Sequence, residues 1–119
     1  MLGRFLKEIA DLGLFIVISE LDVKENDYIL PVEQRDARVA DETKRYLDIA
    51  LAQPAVRGLT TWGLSDRHSW LDVTKEDLAR YPNAWKDGSS PGLNRGLPFD
   101  YSLKPKPMYR AIAESVQRR

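Results

Sequence analysis

Residues 14–23 read "LFIVISELDV", and this stretch decides the fold. Leu14 to Ile18 is an unbroken apolar run without polar alternation, which suits a parallel strand covered on both faces better than an antiparallel strand with one wet side. Directly after it stand two carboxylates, Glu20 and Asp22, an unexpected ending for a buried strand. Upstream, Leu2, Phe5, Leu6, Ile9 and Leu12 follow the three-and-four spacing of an amphipathic helix that stops at Gly13. Downstream, Lys24 to Gln34 is polar, carries Pro31 and reads as a loop. From Asp36 to Gln53, Val39, Thr43, Leu47, Ala50 and Leu51 fall on one helical stripe, and Pro54 ends that helix. Val56 to Leu64 reads as a second, shorter strand.

Two buried-type strands joined through a helix make a βαβ unit, so the fold class is α/β with parallel strands and a right-handed connection. Both strands then point the same way, and the residues leaving them share one rim: Glu20 and Asp22 from the first, Trp62 from the second. In α/β proteins the C-terminal rim is where ligand sites form. The chain continues through a long irregular stretch, Ser65 to Pro98, containing Pro82, Gly88, Pro91, Gly92 and Gly96. Loops of this length in compact domains are commonly functional or disordered. A last helix is expected from about Met108 to Val116, with Pro107 acceptable in its first turn.

Composition narrows the function classes. With 119 residues and 18 basic against 18 acidic side chains, the chain has the length of one small domain and no charge excess favouring nucleic acid or an anionic membrane. No apolar stretch approaches the roughly 20 residues that span a bilayer. The opening residues lack the apolar core and cleavage site of a signal peptide, and localisation stays open. With no cysteine there is no thiolate nucleophile or cysteine metal site, and His68 is the only histidine, so no multi-histidine site forms and no metal or cofactor is expected.

A carboxylate pair beside tryptophans points to carbohydrate chemistry: an indole covers the apolar face of a pyranose while a carboxylate attacks or stabilises an oxocarbenium-like centre. Taken alone, Glu20 reads more readily as a solvated loop carboxylate or cap, and Trp62 and Trp70 equally as core packing. His68 reads as a rim or local hydrogen-bonding residue, Trp85 as a staple for the long loop or an outer sugar contact, and Asp66 with Arg67 as an ion-pairing element that shapes the loop.

Three segments, "VISELDV", "VRGLTTWGLSDRHSWL" and "GLPFDYSLKPKPMYRAI", together resemble the C-terminal part of glycoside hydrolase family 10, the endo-β-1,4-xylanases. The resemblance runs in order from about Leu12 to Ile112. Its most specific parts are Trp62-Gly63 followed by Ser69-Trp70, eight residues on, and Pro105-Lys106-Pro107 before a helix. It implies that residues 1–119 form a partial family 10 catalytic domain, about strands seven and eight of a (β/α)₈ barrel with flanking helices. It further implies that Glu20 is the catalytic nucleophile, Trp62 the platform beside the cleaved bond and Trp70 a closing wall, with Asp22 and His68 supporting. The family often carries arginine after the Ser-Trp pair; Leu71 stands there in this chain, so no substrate contact is carried over for it.

The resemblance also implies a retaining mechanism with a second carboxyl group from an Asn-Glu motif after strand four, which this sequence does not contain. A barrel takes about 250 residues. The expectation is therefore a fragment of a retaining endo-1,4-β-xylanase, inactive alone, whose partners are xylan or xylo-oligosaccharide and the missing N-terminal part of the barrel, with self-association through exposed strand edges. The alternatives are a non-catalytic carbohydrate-binding module and an α/β interaction module whose motif matches are coincidental.

Overall fold

The computed structural model describes residues 1–25, 27, 29–71, 75–80 and 94–119. Its elements are α1 (Leu2–Asp11), β1 (Ile16–Leu21), α2 (Val32–Ala50), β2 (Val56–Thr61), a 3₁₀ turn (Asp66–His68), α3 (Lys75–Arg80) and α4 (Pro107–Gln117). The helix α1 ends as expected, with Gly13 in the left-handed region (φ 79°) and its N–H donating to Ala10 O at 2.9 Å. Trp85, Pro82, Gly88, Pro91 and Gly92 lie outside the described residues.

The strands β1 and β2 pair in parallel, as the βαβ reading requires. The core lies on one face of this pair, where Leu21, Val39, Leu47 and Met108 cluster with Ile18, Val23, Tyr46, Leu51, Leu59 and Ile112 packed around them. The helices α2 and α4 supply that cover and pack against each other. On the opposite face Val17 is 62% exposed and, just before the strand, Phe15 is 72% exposed. Cover on both faces is therefore corrected to cover on one: among the described residues a single helical layer is present.

The boundaries of three elements also move. The strand β1 starts at Ile16 and runs on to Leu21, because its pairing with β2 continues to Leu21 opposite Thr61 despite the polar Ser19 and Glu20. The strand β2 stops at Thr61 rather than Leu64. Gly63 takes φ 110° just beyond it, a conformation that breaks the ladder. The helix α2 begins at Val32, not Asp36, with Pro31 as its N-cap residue and Glu33 in the first turn facing the positive end of the helix dipole. Its first turn looked polar because Arg35 and Asp36 point inward and are buried against ionic partners.

Candidate functional site

Strand alternation would aim Glu20 toward the helical layer with Ile16 and Ile18. The register slips between Ile18 and Leu21, so Ser19 and Glu20 are both exposed and Leu21 returns to the core. An irregularity of this kind breaks the strict alternation of faces, and Glu20 is exposed at the strand end. The Glu20 carboxylate has no hydrogen-bond or ion-pair partner among the described residues. It lines an open depression of about 400 Å³ with Asp22, Lys24, Glu42, Thr43 and Tyr46, on the α2 side of the strand end.

The second strand delivers Trp62 to the same rim. The Trp62 N–H donates to Leu21 O at 2.9 Å, which seats its backbone beside the residue following Glu20. Trp62 is 48% exposed and Trp70 is 66% exposed, so neither ring is core packing. Trp70 reaches back across the rim, its Nε1–H donating to Asp22 Oδ2 at 2.5 Å. Glu20, Asp22, Trp62 and Trp70 thus share one end of the sheet. His68 is exposed and lines a depression with Ser65, Arg67, Tyr101, Ser102 and Leu103, whereas the one next to Glu20 is lined by other residues.

Beneath the rim lies a buried ionic cluster that sequence reasoning largely missed. Lys106, from the Pro-Lys-Pro motif, donates to Asp66 Oδ2 (2.8 Å), Arg95 O (2.5 Å) and Leu97 O (2.9 Å). Arg95 forks onto Asp36 through Nε (2.6 Å) and the guanidinium Nη2 (2.8 Å). Leu97 N–H donates to the other Asp66 oxygen at 3.1 Å. Burial pushes the Asp66 carboxyl up from its ordinary range against the pull of Lys106, and burial likewise pushes the Lys106 ammonium down. Asp66 is therefore the expected ion-pairing residue, but its partner is Lys106; the Arg67 guanidinium instead lies 5.6 Å from the Tyr101 ring centre. A second buried pair, Arg35 with Glu25, ties the chain leaving β1 to α2. Asp36 carried a legible signal, since it sits three residues before Val39 on the apolar stripe. Arg95, in a glycine- and proline-rich stretch without periodicity, carried none.

Among the described residues no cluster of His, Asp or Glu is arranged to hold a metal ion, and no helix is long and apolar enough to cross a membrane.

Endo-1,4-beta-xylanase B of Thermotoga neapolitana is 32% identical over 116 residues, covering 96% of this chain and 28% of that protein. The crystal structure of native xylanase 10B from Thermotoga maritima superimposes with a TM-score of 0.67 at 31% identity, covering 98% of this chain and 31% of that one. Xylanase 10B from Thermotoga petrophila RKU-1, solved in complex with xylobiose, gives a TM-score of 0.64 at 30% identity over the same shares. The chain thus spans less than a third of the length of these relatives, and its two parallel strands and helices align with part of their fold. The family model for glycosyl hydrolase family 10 matches residues 1–115, and this chain belongs to that family.

Proposed function

We propose that these 119 residues are the nucleophile-bearing part of a retaining endo-1,4-β-xylanase, corresponding to strands seven and eight of the barrel. The observation that carries this reading is the shared rim: Glu20 is exposed at the strand end where Trp62 and Trp70 also stand. In this reading Trp62 underlies the sugar next to the cleaved bond, Trp70 walls the site, and Asp22 fixes Trp70 through its indole N–H. Glu20 attacks the anomeric carbon; the glycosidic oxygen leaves as an alcohol after taking a proton from a second carboxyl group; that group then deprotonates water, which releases the sugar from Glu20 with retained configuration. The two carboxyl groups must stand roughly 5 Å apart. The second comes from outside these residues, as do the remaining barrel strands, which would cover the bare sheet face around Phe15 and Val17.

Assay of the purified chain on xylan and on an aryl β-xylobioside tests the reading, repeated after co-refolding with a fragment carrying barrel strands one to six. The chain alone is expected to be inert: general acid assistance is worth about 10² to 10⁴-fold, and positioning by the other strands up to roughly 7–11 kcal/mol. Complementation restores cleavage, and Glu20→Ala abolishes it. Cleavage that survives Glu20→Ala without an added nucleophile such as azide would remove Glu20 from its role. Xylan retention without any cleavage in the complemented sample would favour a binding module.

Kept on their own, the residues expose open strand edges and an apolar face, and are expected to self-associate. Sedimentation showing a stable monomer with a cooperative thermal transition would contradict this.

A further inference from the structure

The backbone ladder between the strands ends at the bond from Trp62 N–H to Leu21 O. Beyond that point the natural twist of paired strands would let the two chain ends diverge. Residues 95–97 fill the gap as a wedge. On the β1 side, Val23 N–H donates to Gly96 O at 3.0 Å. The contact is so close that a Cβ on Gly96 would lie 1.8 Å from Val23 O, so only glycine fits. On the β2 side, a Cβ on Gly63, the residue after Trp62, would lie 2.9 Å from Leu97 Cδ1. The wedge therefore touches the chain three residues after Glu20 and one residue after Trp62.

Asp36 holds the wedge by the Arg95 side chain, and Lys106 and Asp66 hold it by its backbone. Lys106 takes the carbonyls of Arg95 and Leu97 together with Asp66 Oδ2, which uses all three protons of its ammonium, and Asp66 Oδ1 takes the Leu97 N–H. Lys106 is only 3% exposed. A hydrophobic side chain could fill that volume but would leave both carbonyls without a donor. We infer that Lys106 is a positioning residue for the rim: its buried ammonium locks residues 95–97 between the ends of the two strands and so sets the placement of Trp62 relative to Glu20. The inference deepens the proposed function, and its bearing on sugar binding rests on that reading, whereas the placement of Trp62 does not.

Fluorine NMR of the fluorotryptophan-labelled chain tests it, with the Trp62 resonance assigned by Trp62→Phe, alongside hydrogen exchange of single amides. In Lys106→Met, the Trp62 resonance should shift and the Val23 amide should exchange at least about 10-fold faster. The Leu51 amide, bonded to Leu47 O within the helical layer, should stay at its wild-type rate. Should Lys106→Met not fold, Asp66→Asn decides: an amide has one acceptor oxygen where the carboxylate uses two, so the same two signals move by a smaller amount. A folded variant with Trp62 and Val23 at wild-type values overturns the inference. Xylobiose that shifts Trp62 in the wild-type chain, and shifts it less in the variant, supports the link to substrate. If xylobiose leaves Trp62 unmoved in the complemented wild-type barrel, the sugar reading fails while the placement by Lys106 stands.

Discussion

The helical layer and the rim are held together by opposite means. In the layer, Val39, Leu47 and Met108 are buried among other apolar side chains, and the contact has no preferred direction. At the rim, Asp36, Asp66, Arg95 and Lys106 are buried too, but the two cations are fixed by short directional bonds to carboxylates and carbonyls, and the two carboxylates by bonds from a guanidinium, an ammonium and a backbone N–H. Apolar burial keeps elements together and tolerates small displacements. Hydrogen bonds to ionised groups fix atoms in place at the expense of desolvation, a cost visible in the opposed shifts of Asp66 and Lys106. The chain uses the first where α2 and α4 need only cover the sheet, and the second where loops must present carboxylates and indoles at set positions.

Single substitutions should separate the two regions, and the rim should give the larger effect. Lys106→Ala leaves Asp66 and two carbonyls buried without their donor, and breaking such a pair typically removes about 3–5 kcal/mol. Leu47→Ala removes a fully buried side chain from the layer and should remove about 2–5 kcal/mol, according to how far the cavity collapses. Urea unfolding followed by circular dichroism measures both. The contrast would fail if Lys106→Ala were nearly neutral. It would be sharpened by a double-mutant cycle, in which Lys106 and Asp66 couple by about 0.5–3 kcal/mol while Lys106 and Leu47 do not.

How far each region could be read from the sequence follows from the same division. Apolar burial leaves a periodic trace: the stripe from Val39 to Leu51 predicted the buried face of α2. The unbroken apolar run Leu14 to Ile18 predicted a parallel strand but not that Leu14, Phe15 and Val17 are exposed. Backbone pairing leaves less, which is why the extension of β1 through Ser19 and Glu20, and the register slip that exposes Glu20, were not foreseen. The ionic cluster joins residues 36, 66, 95 and 106, and no local pattern links positions so far apart. The Pro-Lys-Pro motif marked Lys106 as unusual without revealing that its side chain is buried. Family resemblance singled out Trp62 and Trp70; the parallel strands account for the place of Trp62 at the rim, whereas Trp70 reaches it through the bond to Asp22.

A smaller effect is expected from Trp70→Phe. The ring is largely exposed, so phenylalanine keeps an aromatic wall and loses chiefly the bond to Asp22. Stability should change by no more than about 0.5 kcal/mol, as for most surface positions. The expected signature is local: in a fluorine NMR spectrum the remaining rim indole, Trp62, responds to the freed Asp22 while the thermal midpoint stays in place. A large loss of stability would mean that Trp70 braces the rim rather than lining it.

The smallest expected effect concerns acid and the turn at residues 100–104. Asp100 accepts from the N–H groups of Ser102 (2.8 Å) and Lys104 (2.9 Å), and Leu103 is held at φ 62°, an uncommon conformation for a leucine. Its partial burial favours the neutral acid, but those backbone donors and the nearby Lys104 charge outweigh burial, and the carboxyl titrates below its ordinary value. A depressed carboxyl contributes stability that is present above the unfolded-state pKa and is lost as the pH falls through the lower folded-state value. Asp66 is shifted upward, so its own linkage runs the other way: its contribution is present at low pH and lost as the pH rises through its folded value. A global acid melt sums the two and can hide both. The amides of Ser102 and Lys104 report Asp100 alone: their exchange, corrected for the intrinsic pH dependence, should quicken as the pH drops below the ordinary carboxylate range. In Asp100→Ala they should be unprotected at every pH. Protection that persisted in acid in the wild-type chain would show that the strained Leu103 turn is held by packing and not by the carboxylate.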